Sequence, residues 1–418
     1  MVPEHIIFVA NSPGEISGWL APLVKEARRR WPKCRLILQM LTCEFATGAE
    51  GRVARDMLGV DEVITPAHYP AMLLCRAQRF PNAIIIHLGG DMFYSAMLAK
   101  RYHLPLWIYV WGRRYLDSAF SGYFVRQEQD AERLRKKGIP EQKIHIVGDL
   151  VADATAAGLQ RQSHHLAAQK RAQSRAAKKN GEDKNLPLIS FLPGSREHEV
   201  SGLSPFYLEV ASLLQKQAGP CRFQLIVSPY IEQDDLRRLL TALPLKKMGG
   251  CRARFDGEYM WAPDNTRLRV VHSDHLAHLS KSALALTIPG TKTSELACLG
   301  VPMLSILPLN RPDLLPLTGI LGLLDFLPGG QYVKGKLMFS FVKRPRFFAL
   351  PNMQAQREIL PELVGVLNAE QVASRLASLL SDKDALQQQA QALRQLYAPH
   401  LGAASRIFDC LGEYTPCP

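Results

Sequence analysis

At 418 residues the chain is longer than one ordinary core can fill, so two domains are the default expectation. Hydrophobic residues make up 47% and charged residues 21%, a globular composition, and no apolar run approaches the roughly 20 residues of a membrane-spanning helix. The formal net charge of +13 points to anionic partners: phosphorylated metabolites, an acidic membrane surface or nucleic acid. For nucleic acid the charge stands alone, without interleaved aromatic and basic residues, so no nucleic-acid partner is expected.

The eight cysteines are scattered and form no Cys-x-x-Cys pair, which argues against a zinc ribbon or a thioredoxin-type site and fits a reducing cytoplasm. The N-terminus has no basic n-region and no h-region. It runs straight into a strand, so no secretory signal is expected.

In chain order, "HIIFVA", "RLILQM", "EVITP", "AIIIHLG", "PLWIYV", "GYFVRQ" and "KIHIVGD" read as strands, most of them apolar throughout. Strands of a doubly covered parallel sheet look like this. Amphipathic stretches such as "GWLAPLVKEARRR" and "EQDAERLRKKG" lie between them, giving a repeated β-α, Rossmann-like layout. From Gln160 to Asn185 the character changes to a basic, polar run whose only large apolar residue is Leu166, read as a solvated linker or frayed helix. A second β-α series follows: "LPLISFLPG", "FQLIVSP", "LRVVHS", "SALALTIPG", "VPMLSILP" and "RFFALPN". The chain closes with the Gln/Ala/Leu-rich helix "DKDALQQQAQALRQLYAPHL".

The expected organisation is therefore a Rossmann-like domain over 1–158, a basic insert over 159–186, and a second Rossmann-like domain over 187–380. A C-terminal helical part, 381–418, either packs back on the first domain or swaps to a partner in a homodimer. Two such α/β domains with parallel sheets leave a central cleft at the carboxyl ends of their strands, where ligands bind.

Three turns at strand ends combine glycine with hydroxyl or charged residues. "VANSPGEISGW" carries Glu15, Ser17 and Gly18, and its carboxylate does not suit a phosphate loop. "FLPGSREHEV" carries Ser195 and Arg196 near a helix N-terminus, fit for a diphosphate or for a plain cap with a surface arginine. "TIPGTKTSELACLGVP" carries Gly290, Thr291, Thr293 and Glu295. There the carboxylate either complements the helix dipole or grips a sugar diol beside a phosphate-binding turn. "HLGGDMFY" sets Asp91 at a strand end, as a general base or a helix cap. "FFALPNMQAQREILPEL" offers Asn352, Gln356, Arg357 and Glu358, either to a nucleotide diphosphate or as the solvated start of a helix. His272, His275 and His278 repeat at i, i+3, i+6, a spacing that drifts around a helix, and no acidic cluster accompanies them, so no metal site is expected.

Taken in order, "GEISG", "GGD", "FLPGSREHEV", "PGTKTSELACLGVPM" and "LPNMQAQREILPEL" resemble the lipid-A-disaccharide synthase family over nearly the whole chain, apart from the basic insert. The resemblance implies an inverting glycosyltransferase of the GT-B fold that requires no metal and no cofactor. It implies transfer of an acylated glucosamine-type sugar from a UDP donor to an acylated or lipid-linked sugar acceptor. UDP would sit near Ser195, Arg196, Gly290, Thr291, Thr293, Glu295, Asn352 and Arg357, with Gln356 and Glu358 beside them. The acceptor would face Glu15, Ser17, Gly18 and Asp91. One of Glu15 and Asp91 would act as base, and Arg196 would stabilise the departing UDP.

Three departures fall on motif positions. Trp19 stands where the family usually has Asp, Tyr94 lies near the place of an expected carboxylate, and Gln356 replaces a Gly. The readings left beside this one are another UDP-sugar glycolipid transferase, a UDP-N-acetylglucosamine 2-epimerase-like enzyme, and a nucleotide- or lipid-binding protein without turnover. The stretch 314–347 joins apolar residues to Lys334, Lys336, Lys343, Arg344 and Arg346, which suits contact with an anionic membrane or a buried hairpin with a basic edge. The expected location is cytoplasmic, peripheral on the inner face of the cytoplasmic membrane.

Overall fold

The computed structural model describes residues 2–41, 48–74, 80–109, 116–173, 185–245, 248–273, 275–311 and 347–413. The chain divides into two compact units: residues 1–157 with 397–418, and residues 158–396. The division falls inside the continuous helix Leu150–Gln173, ahead of the basic stretch that the sequence marks as a linker.

The first unit holds a seven-stranded parallel sheet. Its strands are β1 (His5–Ala10), β2 (Arg35–Met40), β3 (Glu62–Ile64), β4 (Ala83–His87), β5 (Leu106–Tyr109), β6 (Gly122–Val125) and β7 (Ile144–Ile146), in the order 3-2-1-4-5-6-7. The central strands are buried along almost their whole length, as their unbroken apolar runs require. The order reverses between β1 and β4, so the loops leaving these two strands flank the crevice of the sheet. The chain's last helix, Ala403–Glu413, belongs to this unit. It is tied down by Arg30 on Asp409 (2.5 Å), by Arg406 Nε donating to Val147 O (2.6 Å), and by Trp31 against Phe408.

The second unit holds eight strands: β8 (Leu188–Leu192), β9 (Arg222–Ile226), β10 (Arg254–Phe255), β11 (Tyr259–Trp261), β12 (Arg267–Val271), β13 (Leu284–Thr287), β14 (Met303–Pro308) and β15 (Glu362–Gly365). They are ordered 10-11-12-9-8-13-14-15. The sheet is parallel except at one edge, where β10 and β11 add an antiparallel hairpin that the sequence reading omits. Its switch point lies between β8 and β13. The helices Glu197–Ala218 and Ala369–Ser381 cover a core built on Phe191, Val200, Phe206, Leu225 and Val372.

Over its described residues, 347–352, "RFFALPN" forms no strand. Residues 347–349 are irregular and Leu350–Ala355 is helical, with Pro351 in the first turn where its missing N–H costs nothing. The eighth strand of this sheet instead comes from "ELVG", β15. The expected membrane-facing stretch lies, up to residue 346, outside the described residues. Among the described residues no helix is long and apolar enough to cross a membrane.

Candidate active site

In the first unit both loops at the switch point meet at one carboxylate. Glu15 Oε2 accepts from the backbone N–H of Asn11 (2.8 Å) and of Ser12 (3.2 Å), so the acid closes its own turn. Gly89, just past β4, donates its N–H to Val9 O at 3.1 Å and lies flat against that carboxylate. A Cβ at position 89 would fall 2.0 Å from Glu15 Cδ. Burial pushes the Glu15 carboxyl up, against the pull of the two backbone N–H groups. The glycine-rich turn thus carries an acid because the acid organises the turn.

Asp91 caps the helix Met92–Tyr102, its Oδ1 accepting from Phe93 N at 2.8 Å, and stays exposed at the carboxyl end of β4. Upstream, His87 is buried against Ser95 Oγ (2.7 Å), and burial pushes its ring down to about 4, so the imidazole is neutral at physiological pH. Ser17 and Gly18 lie in a π-helical turn, Ile16–Leu20, that opens the helix Ala21–Arg30; Gly18 is buried and Ser17 half-buried. Trp19, on the same turn, packs edge-on to Tyr109 at the end of β5, ring centroids 5.4 Å apart.

The second unit repeats the device. Glu199 Oε2 accepts from Ser195 N (2.7 Å) and Arg196 N (3.0 Å), while Gly194, at φ +113°, approaches so closely that a Cβ would lie 2.2 Å from Oε2. Arg196 Nη1 bonds the other oxygen of Glu199 at 2.7 Å. The guanidinium is therefore a brace of its own turn, and Ser195 contributes a backbone N–H there.

Across that switch point, the helix Thr291–Leu299 starts at Gly290, which has φ +143° and nothing within 4 Å of where a Cβ would stand. Thr291 is half-buried at this opening, while Thr293 is fully buried. The Thr293 hydroxyl donates to Gly290 O (2.7 Å) and accepts from Leu350 N (3.2 Å), joining this turn to the helix Leu350–Ala355. Glu295 takes Lys292 Nζ on both oxygens, at 2.9 and 2.7 Å, with His275 Nε2 3.4 Å from Oε2. Burial works to raise this carboxyl, but Lys292 and His275 outweigh it and hold it down at about 2. His272 Nε2 instead bonds Ile231 O at 2.8 Å.

Asn352 is fully buried and committed to the chain. It donates to Leu360 O (2.8 Å) and Glu362 Oε1 (2.7 Å) and accepts from Ile359 N (2.7 Å) and Leu360 N (3.0 Å). Glu362 in turn accepts from Phe348 N and Ala349 N. Gln356 ends the helix Leu350–Ala355 in the left-handed region, φ +55°, and Arg357 and Glu358 are exposed after it. The sequence alone does not assign these roles to Glu199, Lys292, His275 and Glu362. The i, i+3 spacing of Lys292 and Glu295 is the legible signal for one pair.

The chemistry on offer differs between the units. The second presents a helix N-terminus with an open glycine, a lysine, and a carboxylate fixed in its ionised form, able to meet an anion and a hydroxyl pair. The first presents the exposed carboxylate of Asp91 beside a turn rigidified by Glu15.

No protein-family model matches the chain. A lipid-A-disaccharide synthase of Solibacter usitatus is 23% identical over 427 residues, covering 96% of each chain. The enzymes of that name from Syntrophus aciditrophicus (23% over 223 residues) and Neisseria meningitidis (28% over 207) match 52% and 50% of this chain. Those two alignments cover 47% and 43% of the relatives, so the chain spans about half the length of these curated relatives. Among solved structures, the S. aureus MnaA–UDP co-structure superimposes with a TM-score of 0.58 at 14% identity over 99% of both chains. The UDP-GlcNAc 2-epimerase of Neisseria meningitidis bound to UDP-GlcNAc gives 0.57 at 13%, over 98% of this chain and 100% of that one. MurG of Acinetobacter baumannii gives 0.50 at 12%, over 99% and 100%. The fold is GT-B. At these identities the structural likeness carries the fold alone.

Proposed function

We propose that the chain is an inverting glycosyltransferase of the lipid-A-disaccharide synthase type, acting on a UDP-sugar donor and an acylated or lipid-linked sugar acceptor at the cytoplasmic membrane surface. The observation that carries this reading is the second unit's switch point, where the open Gly290 turn, Lys292 and the ionised Glu295 stand together. A nucleoside diphosphate asks for this set: backbone N–H groups and a cation for phosphate oxygens, and a carboxylate for a ribose diol. The full-length likeness to a lipid-A-disaccharide synthase and the ordered motifs support the same reading.

In the proposed reaction the acceptor hydroxyl attacks the anomeric carbon, its proton passes to a carboxylate of the first unit, and the C–O bond to UDP breaks with its electron pair leaving on the diphosphate. Asp91 is the proposed base, because it is exposed where Glu15 is bound into its own turn. Gly290, Thr291 and Lys292 are proposed to face the leaving diphosphate and Glu295 the donor's ribose. Arg196, Ser195, Thr293 and Asn352 are proposed to hold those turns in shape, with Gln356, Arg357 and Glu358 at the outer margin. Ser17 and Gly18 line the acceptor side.

The test is incubation of the purified protein with UDP-diacylglucosamine and an acylated glucosamine 1-phosphate, read by mass spectrometry. A disaccharide formed with one UDP per linkage is expected. UDP-N-acetylmannosamine formed when the protein is given UDP-N-acetylglucosamine alone, resolved by proton NMR because the two epimers have equal mass, would assign the chain to epimerisation instead.

A further inference from the structure

The antiparallel hairpin at the edge of the second sheet has two unlike faces. Phe255, Met260 and Leu268 point into the core. The opposite face alternates arginine with aromatic rings. Trp261 on β11 is paired across the strands with Arg254 on β10 and with Arg267 on β12. The two guanidinium carbons stand 5.3 and 5.4 Å from the indole, and Arg267 also lies 4.6 Å from the Tyr259 ring. Arg269 continues the same face, since side chains two apart on a strand share a side; Arg252 lies just ahead of β10, and all four arginines are exposed.

Of the three acids in this stretch, Asp264 stands 3.5 Å from Lys216, and the other two offset only half of the charge of the four arginines. Asp256 is built into the hairpin turn: it accepts from Glu258 N (2.9 Å), Tyr259 N (2.8 Å) and Trp261 Nε1 (2.6 Å), which fixes the indole. Glu258 stands 3.5 Å from Arg269. Exposed cross-strand and cation–π pairs of this kind stabilise an edge hairpin only modestly, and that stabilisation needs no excess of positive charge. The excess is what calls for a partner.

We propose that the outer face of β10–β12 is a docking surface for an anionic lipid bilayer. Guanidiniums held over rings are ordered beforehand and present their N–H groups as forks matched to phosphate, so little side-chain freedom is lost on contact. Trp and Tyr suit the headgroup layer, where one end of a side chain is apolar and the other wet. The connection that leads into β10 also exposes Leu243 and Leu245. A single-stranded nucleic acid is disfavoured because its bases need an open ring face for stacking, and an arginine flanks Trp261 on each side. The inference rests on the hairpin and does not depend on the reaction proposed above.

The test is sedimentation of the full-length protein with vesicles of phosphatidylcholine alone or mixed with phosphatidylglycerol, at low salt. The protein is expected to partition onto the mixed vesicles and not onto phosphatidylcholine. Arg254→Gln with Arg267→Gln removes two surface arginines and should lower the partition coefficient about 30-fold, at about 1 kcal/mol for each and tenfold per 1.4 kcal/mol. Arg375→Gln with Lys383→Gln removes the same charge from exposed helical positions and should change it less than about threefold. If the first pair melts below the assay temperature, Arg252→Gln with Arg269→Gln takes its place. Equal binding by the two double variants would overturn the proposal, as would absence of wild-type binding to the mixed vesicles. It also fails if an oligonucleotide, and not the vesicles, is released by the hairpin substitutions.

Discussion

Glu15 and Gly89 form the tightest approach at the first unit's switch point: the carboxylate that closes the turn after β1 occupies the space a side chain at 89 would need. Two loops far apart in sequence are locked by one acid and one missing methyl. Gly89→Ala should therefore cost about 2–3 kcal/mol, since neither the carboxylate nor the backbone it holds can retreat cheaply. Chemical denaturation measures the cost. In the Glu15→Ala background the same change should cost well under half as much, because the obstructing group is gone. Additive costs would show that the contact is not the cause.

The Lys292–Glu295 pair contributes to acid behaviour in the second unit. The folded carboxyl is held at about 2, below its ordinary 4.5, so its contribution is fully present above pH 4.5 and is lost as pH falls toward 2. Lys292→Met removes the partner bonded at 2.7 Å and leaves a largely buried charge facing, among the described residues, His275. The variant should lose about 2 kcal/mol at pH 7, and its acid transition should begin at higher pH. Circular dichroism across a pH series checks both, and an unmoved acid transition would count against the pair.

Gln356 sits at φ +55°, a conformation that favours glycine, and its Nε2 recovers one bond to Met353 O at 3.0 Å. Gln356→Gly should raise stability by about 0.5–1 kcal/mol, read as a higher denaturant midpoint. A lower midpoint would mean that the side-chain bond outweighs the backbone strain.

Much of this architecture was legible in the sequence. The apolar runs of the first unit name its seven strands, because buried parallel strands show little else. "RFFALPN" misleads because two phenylalanines before a proline suit a strand as well as a helix start, and no periodicity over so few residues separates them. The β10–β11 hairpin escapes for a similar reason: strands of two and three residues carry too short an alternation. Within the turns, the sequence locates Glu15, Arg196, Thr293 and Asn352 but cannot tell a ligand-facing group from one that satisfies its own backbone. Their hydrogen bonds run to partners such as Leu350 N and Leu360 O, residues that only the tertiary fold brings near.

Asp91 separates chemistry from scaffolding most cleanly. Asparagine caps a helix as well as aspartate does, so Asp91→Asn should keep the cap on Phe93 N and a near-wild-type midpoint. As the proposed base, its loss should lower turnover about 10²- to 10⁴-fold. Turnover within a few-fold of wild type would return the role to Glu15.

The anomeric configuration of the product tests the central claim most directly. With an α-linked UDP-sugar donor and an acylated sugar acceptor, proton NMR of the purified product should show a β-linkage formed with one equivalent of UDP. An α-linkage, or a sugar nucleotide altered at C2 while the acceptor stays intact, would contradict an inverting glycosyltransferase.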